Sequence, residues 1–119
     1  GVHLWETVWE REALDYLAGP CAGEVQLVTY AIYAETALVA GAAVFGDSCR
    51  IENLEVKRVL CLGAEDRYQV QIALQREGGQ AGFWVHARPS AGAGEWQQCA
   101  AGRVRLAQGA ALIGRGEMK

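Results

Sequence analysis

The sequence predicts an α+β domain, with one buried helix held against an antiparallel sheet. Three observations carry this. The run Tyr30-Ala31-Ile32-Tyr33-Ala34-Glu35-Thr36-Ala37-Leu38-Val39-Ala40 is apolar on almost every face, and a helix of that kind must be covered on most sides. The run Arg67–Gln75 alternates cleanly, with Tyr68, Val70, Ile72 and Leu74 on one face and Gln69, Gln71, Ala73 and Gln75 on the other, the period of a half-buried strand. Everything after the helix breaks into short apolar runs divided by turn residues.

The elements follow in order. Leu4–Trp9 carries Trp5 and Trp9 and reads as a first strand. Ala13–Leu17 is a short apolar patch stopped by Gly19-Pro20. Gly23–Val28 is an extended lead-in, and Thr29 stands where a helix N-cap belongs. The helix is expected over Thr29–Ala43, with Gly41 and Gly46-Asp47 ending it. Ile51–Leu62 holds two short strands with a kink. After the alternating strand, Glu77-Gly78-Gly79-Gln80 makes a hairpin loop and Phe83–Arg88 returns. Pro89–Gly94 is a loop and Trp96–Leu106 a last strand. The sequence therefore divides into a domain over 1–106 and a Gly- and Ala-rich tail over 107–119, expected to be poorly ordered.

Composition narrows the function. The chain has 119 residues, enough for one core and too few for two. It is 51% apolar and 21% charged with a net charge of −3, which offers nothing to a nucleic acid or an anionic membrane surface. The Ala31–Val44 stretch is too short to span a bilayer, and Glu35 interrupts it. No secretory signal pattern is read. Cys21, Cys49, Cys61 and Cys99 form no CxxC pair, and His3 and His86 lack zinc-ligand spacing. Free thiols in a reducing cytosol are expected, with no metal and no cofactor.

Four stretches together carry a family resemblance. Leu14, Tyr16, Leu17, Gly23, Ala31, Tyr33 and Glu35 fall in register with a segment that reads Leu-x-(Tyr/Trp)-Leu-x-Asp-His, then Val-x-Gly, then Pro-Gly-(Ala/Thr)-x-(Tyr/Phe)-Leu-Glu. Ile51-Glu52-Asn53-Leu54 with Val59-Leu60 is similar to a second stretch. Phe83-Trp84-Val85-His86-Ala87-Arg88 is similar to a Phe-x-Val-x-Ser-Arg strand. Trp96-Gln97-Gln98-Cys99-Ala100-Ala101-Gly102 is similar to Trp-x-x-His-Ala-x-Gly. This pattern resembles the N-terminal half of polyketide synthase dehydratase domains. The resemblance covers Leu4 to Leu106 and implies a single hotdog fold, an antiparallel β-sheet wrapped around a central α-helix.

The departures bear on chemistry. The family's base is the His of its Asp-His pair, and those two positions here are Gly19 and Pro20. Dehydrating a β-hydroxyacyl thioester needs a base at the α-carbon and an acid at the leaving hydroxyl. Proline supplies neither. The Pro-Gly that opens the family's helix is Thr29-Tyr30 here, and the family's catalytic Asp belongs to a second hotdog. The resemblance thus implies a catalytically silent, dehydratase-like module of a polyketide synthase system, acting through shape by scaffolding, dimerisation or holding an acyl chain. The alternative is a homodimeric hotdog enzyme on acyl thioesters, a thioesterase or dehydratase/cyclase, in which Glu35 activates water or substrate. Under the silent reading Glu35 pairs with backbone or an Arg near the helix start. Pro20, Cys21, Tyr30 and Tyr33 are the tunnel-lining candidates. Cys21 has no cation nearby in sequence to activate it. His86 reads as a half-buried strand residue, and Trp5, Trp9, Trp84 and Trp96 as packing or as an acyl-binding wall. Implied partners are an acyl carrier protein or other polyketide synthase domains. A second hotdog is also implied, as a homodimer mate or as the other half of a double hotdog. The implied setting is cytoplasmic.

Overall fold

The computed structural model describes residues 2–11, 21–22, 25–63, 65–91 and 94–107, with backbone only at 21–22 and 25–26. Strands β1 (Val2–Glu10), β2 (Cys21–Ala22) and β3 (Val25–Val28) lead into helix α1 (Tyr30–Phe45). Strands β4 (Cys49–Val56), β5 (Leu60–Leu62), β6 (Arg67–Glu77), β7 (Gln80–Pro89) and β8 (Gln97–Leu106) follow. Five strands form one sheet in the order β1-β6-β7-β8-β4, and three form a small sheet in the order β2-β3-β5. Every neighbouring pair is antiparallel. This is the α+β arrangement of a hotdog fold, an antiparallel sheet against helix α1. The expected tail lies outside the described residues from Gln108 onward.

The central hairpin sets the core. Val70, Ile72 and Leu74 of β6 and Ala81, Phe83, Val85 and Ala87 of β7 are all buried on the helix side, as the period-2 pattern requires. The turn between them is Gly78-Gly79, and Gly78 holds φ at +68°, a conformation that favours glycine. The first strand is longer than expected, because β1 pairs with β6 without a break from Val2↔Gln75 to Glu10↔Arg67. Trp9 closes that end of the core, its ring 5.9 Å from that of Tyr33.

The helix departs from expectation in two ways. Burial is one-sided: Ile32, Tyr33, Ala37, Ala40 and Gly41 are buried, whereas Tyr30 is 53% and Val39 59% exposed. Among the described residues the large sheet packs against one flank, and small alanines line much of the other, exposed flank. Gly41 does not end the helix. A Cβ there would stand 3.0 Å from Cys49 Sγ, so glycine lets β4 approach the helix. The end comes at Gly46, which turns left-handed at φ 74° and donates its N–H to Ala42 O at 2.8 Å. At the other end Thr29 is the extended N-cap residue, but its side chain makes no capping bond. Arg76 ties the helix C-terminus to the β6–β7 hairpin. Its Nε donates to Gly78 O at 2.9 Å, its Nη1 to Val44 O at 3.5 Å, and its guanidinium lies 4.6 Å above the Phe45 ring.

The kink expected in Ile51–Leu62 is a passage between sheets. β4 belongs to the large sheet, and residues 57–59 carry the chain across to β5 in the small one. β4 also bulges at Ile51/Asn53 opposite β8. Gly102 sits under that bulge: a Cβ there would fall on the Asn53 carbonyl oxygen and lie 2.9 Å from Leu54 Cα.

Candidate functional site

Gly19 and Pro20 lie outside the described residues. Cys21 pairs with Gln26 at the start of the small sheet, so the segment where the family carries its base leads directly into that sheet. The small sheet then continues through β3 into the helix N-terminus.

The other candidates do not converge. Glu35 is exposed on α1 and has no hydrogen-bond or ion-pair partner among the described residues. The backbone or Arg pairing expected of it is therefore not formed. Tyr30 opens the helix and is exposed, while Tyr33, three residues on, is fully buried. His86 is half-buried on β7, between Gln71 and Gln98 across the strands. The four tryptophans do not form one wall. Trp9 is core, whereas Trp84 points to the outer face, its ring over Gly82, where a Cβ would stand 2.7 Å from it. Trp96 lies under Arg88, whose guanidinium is 4.5 Å from its ring. Among the described residues no group of three or more His, Cys, Asp or Glu could hold a metal. No helix of the described residues is long and apolar enough to cross a membrane. Cys49, Cys61 and Cys99 are free thiols.

What the structure does bring together is a buried polar pin. Tyr33 Oη donates to the Arg58 carbonyl at 2.9 Å. Lys57 and Arg58 each donate a backbone N–H to Cys99 O, at 2.8 and 3.1 Å. The Cys99 thiol is fully buried, 3.6 Å from Gln97 O. Burial, with Cys99 close by, pushes the Tyr33 phenol far above its ordinary range. Burial likewise raises the Cys99 thiol. Both groups are held neutral, so neither is an activated nucleophile. Beside the pin, Arg58 and Leu60 face Tyr68, Ala87, Pro89 and Gln97 across a cavity of about 260 Å³. Sequence spacing could not reveal this cluster, because 25 residues separate Tyr33 from Arg58 and Cys99 stands where the family's fourth motif has a His.

The helix α1 against this strand order, with β1 and β4 at the sheet edges among the described residues, defines the class as a hotdog domain. The family model of the polyketide synthase dehydratase domain matches residues 1–88, and the chain belongs to that family. A dehydratase structure from work on substrate selection in the borrelidin and fluvirucin polyketide synthases is 25% identical, with a TM-score of 0.72 over 89% of this chain and 39% of its own. The dehydratase from the CurJ module of the curacin synthase is 22% identical, with a TM-score of 0.76 over 89% and 38%. The bifunctional dehydratase-cyclase of ambruticin biosynthesis is 20% identical, with a TM-score of 0.70 over 89% and 39%. The chain thus spans about two fifths of the length of the structures it matches. No curated protein matches it.

Proposed function

We propose that this chain is a catalytically silent dehydratase-like hotdog of a cytoplasmic polyketide synthase system, working by shape as a dimerisation or acyl-chain-holding module. The observation that carries this reading is the residue pair Gly19-Pro20 at the family's Asp-His position. Without an imidazole there is no group to take the α-proton. Glu35 is exposed and shows no partner among the described residues, so the pairing that the silent reading gives it is not what supports that reading. The partners fitting this role are other synthase domains, an acyl carrier protein, and a second hotdog. The two sheet edges among the described residues, β1 and β4, favour the last of these, as a second copy or as the missing half of a double hotdog. The proposed unit is the hotdog over 1–106, and of its tunnel-lining candidates Tyr30 is exposed at the start of α1, whereas Tyr33 is buried in the core.

The test is turnover of β-hydroxyacyl and enoyl pantetheine thioesters by the purified chain. The expected result is no rate above background, and Pro20→His alone stays near background because Gly19 still replaces the Asp. Clear turnover by the unmodified chain overturns the reading. Thioester hydrolysis abolished by Glu35→Gln would establish the alternative enzyme.

A further inference from the structure

The described residues of the two sheets share no strand pair. The small sheet is held within itself by short ladders, Gln26↔Leu62, Leu27↔Cys61 and Val28↔Leu60 between β3 and β5. The large sheet is built of long strands, with register shifts at Ile51/Asn53 and Val85/His86. Where the chain passes between them, at residues 57–59, these hydrogen bonds span the gap among the described residues. Two run from Lys57 and Arg58 to Cys99 O, and the third comes from Tyr33 Oη to Arg58 O. Only the third is made by a side chain. The seam is also imperfectly filled, since the 260 Å³ cavity lies along it, with Arg58 and Leu60 on one wall and the ends of β6, β7 and β8 on the other. Val59 and Cys61 on the outer side are exposed.

We propose that β3, β5 and the 57–59 connection form a flap that opens as a unit ahead of global unfolding, and that the Tyr33 phenol is its latch. Cooperative units of unequal stability follow from unequal hydrogen bonding and packing. Here the small unit has the shorter ladder and a cavity at its joint. Val28, Leu60 and Leu62 are buried, so the open form is rare. When it forms, Arg58 leaves Tyr33 and the Cys99 carbonyl, and the thiol beneath them meets water. Opening also widens the seam cavity into a slot between the sheets. The inference goes beyond the proposed function and stands without it.

The experiment follows Cys99 alkylation by iodoacetamide on the whole chain, resolved by peptide mass spectrometry across a series of urea concentrations. Hydrogen exchange of the Phe83 and Val85 amides runs in parallel as the measure of global unfolding. Cys99 is expected to label faster than global unfolding permits at low urea, with a weak urea dependence, and to join the steep global line only near the midpoint. Tyr33→Phe keeps the ring and removes the latch, so low-urea labelling should rise about tenfold, the worth of one net hydrogen bond. Leu62→Ala loosens the same flap from its packing side and should raise labelling as well, which keeps the test alive if Tyr33→Phe does not fold. The flap is refuted if Cys99 and the β7 amides share one urea dependence throughout. The latch is refuted if Tyr33→Phe folds and labels at the parent rate.

Discussion

Replacing Gly102 with Ala tests how β4 is set against β8. The new Cβ would fall on the Asn53 carbonyl oxygen, 2.9 Å from Leu54 Cα and 3.0 Å from Asn53 C. Carbon contacts relax at about 3.5–4.0 Å, so the β4 backbone must retreat by about 1 Å. No flexible side chain is available to yield. The retreat strains two neighbouring pairs, Asn53↔Arg103 and Leu54↔Gly102, at about 1 kcal/mol for each hydrogen bond lost. Overpacking strain adds about 1–3 kcal/mol. A total near 3 kcal/mol is expected, which is roughly 12 °C in Tm for a domain of this size and about 2 M in urea midpoint. Urea unfolding followed by tryptophan fluorescence measures it. Gly79→Ala is the control, because its Cβ would meet nothing within 4 Å; its midpoint should stay near the parent's. A Gly102→Ala midpoint within about 0.5 M of the parent would show that the bulge yields freely and that the argument from backbone contact is wrong.

Arg76→Ala removes two hydrogen bonds to carbonyls and the stack on Phe45. It should lower stability by about 1–2 kcal/mol, read as a fall in Tm with the hairpin and helix C-terminus the most affected in hydrogen exchange. Arg105 holds the Glu52 carboxyl below its ordinary value. A depressed folded pKa gives stability that is present above the unfolded value and lost as pH falls through the folded one, so the Tm gap between parent and Glu52→Gln should shrink on acidification. The pair is exposed, and the effect is small and screened by salt. Burial raises both Tyr33 and Cys99. Their contribution is complete below the unfolded values and is lost as pH rises above them, so stability should fall in alkaline solution, and Cys99→Ala should soften that fall. A parent Tm unchanged well into the alkaline range would contradict the burial of these groups.

The fold was legible where one face of an element is buried. The alternation of β6, the Gly78-Gly79 turn and the all-apolar helix each constrain the chain locally, and each was readable. The one-sided burial of α1 was not, because alanines at 31, 42 and 43 fit water and core alike, and only the reach of the large sheet decides which side is covered. Gly41 shows the same limit. A glycine near a helix end reads as a stop, yet this one is kept open by Cys49, a neighbour that sequence distance hides. The site was legible only as residue identity: Pro20 at the family's His position is what the proposed silent reading rests on. It was not legible as geometry. Tyr33 was expected to frame a tunnel, and the structure instead buries it against Trp9 with its hydroxyl on Arg58.

Under the proposed function, a hotdog without its base can keep its frame. The groups that set the frame are apolar or neutral: Val28, Leu60 and Leu62 in the small sheet, Tyr33 in the helix, Cys99 in β8. None is a proton-transfer group in the reading proposed above. A proline in sequence at position 20 limits the conformations open to the unfolded chain. Under the proposed function, this packing of apolar and neutral groups is the physical condition for a silent domain to keep its shape. It also fixes where further change would be tolerated. Substitutions at Glu35 or Tyr30, on the exposed flank of α1, should leave Tm within about 1 °C of the parent, since exposed sites away from caps and core move stability by only a few tenths of a kcal/mol. Their effect should show instead in association, because a flank that is apolar and exposed among the described residues is where a second hotdog or an acyl chain would be felt.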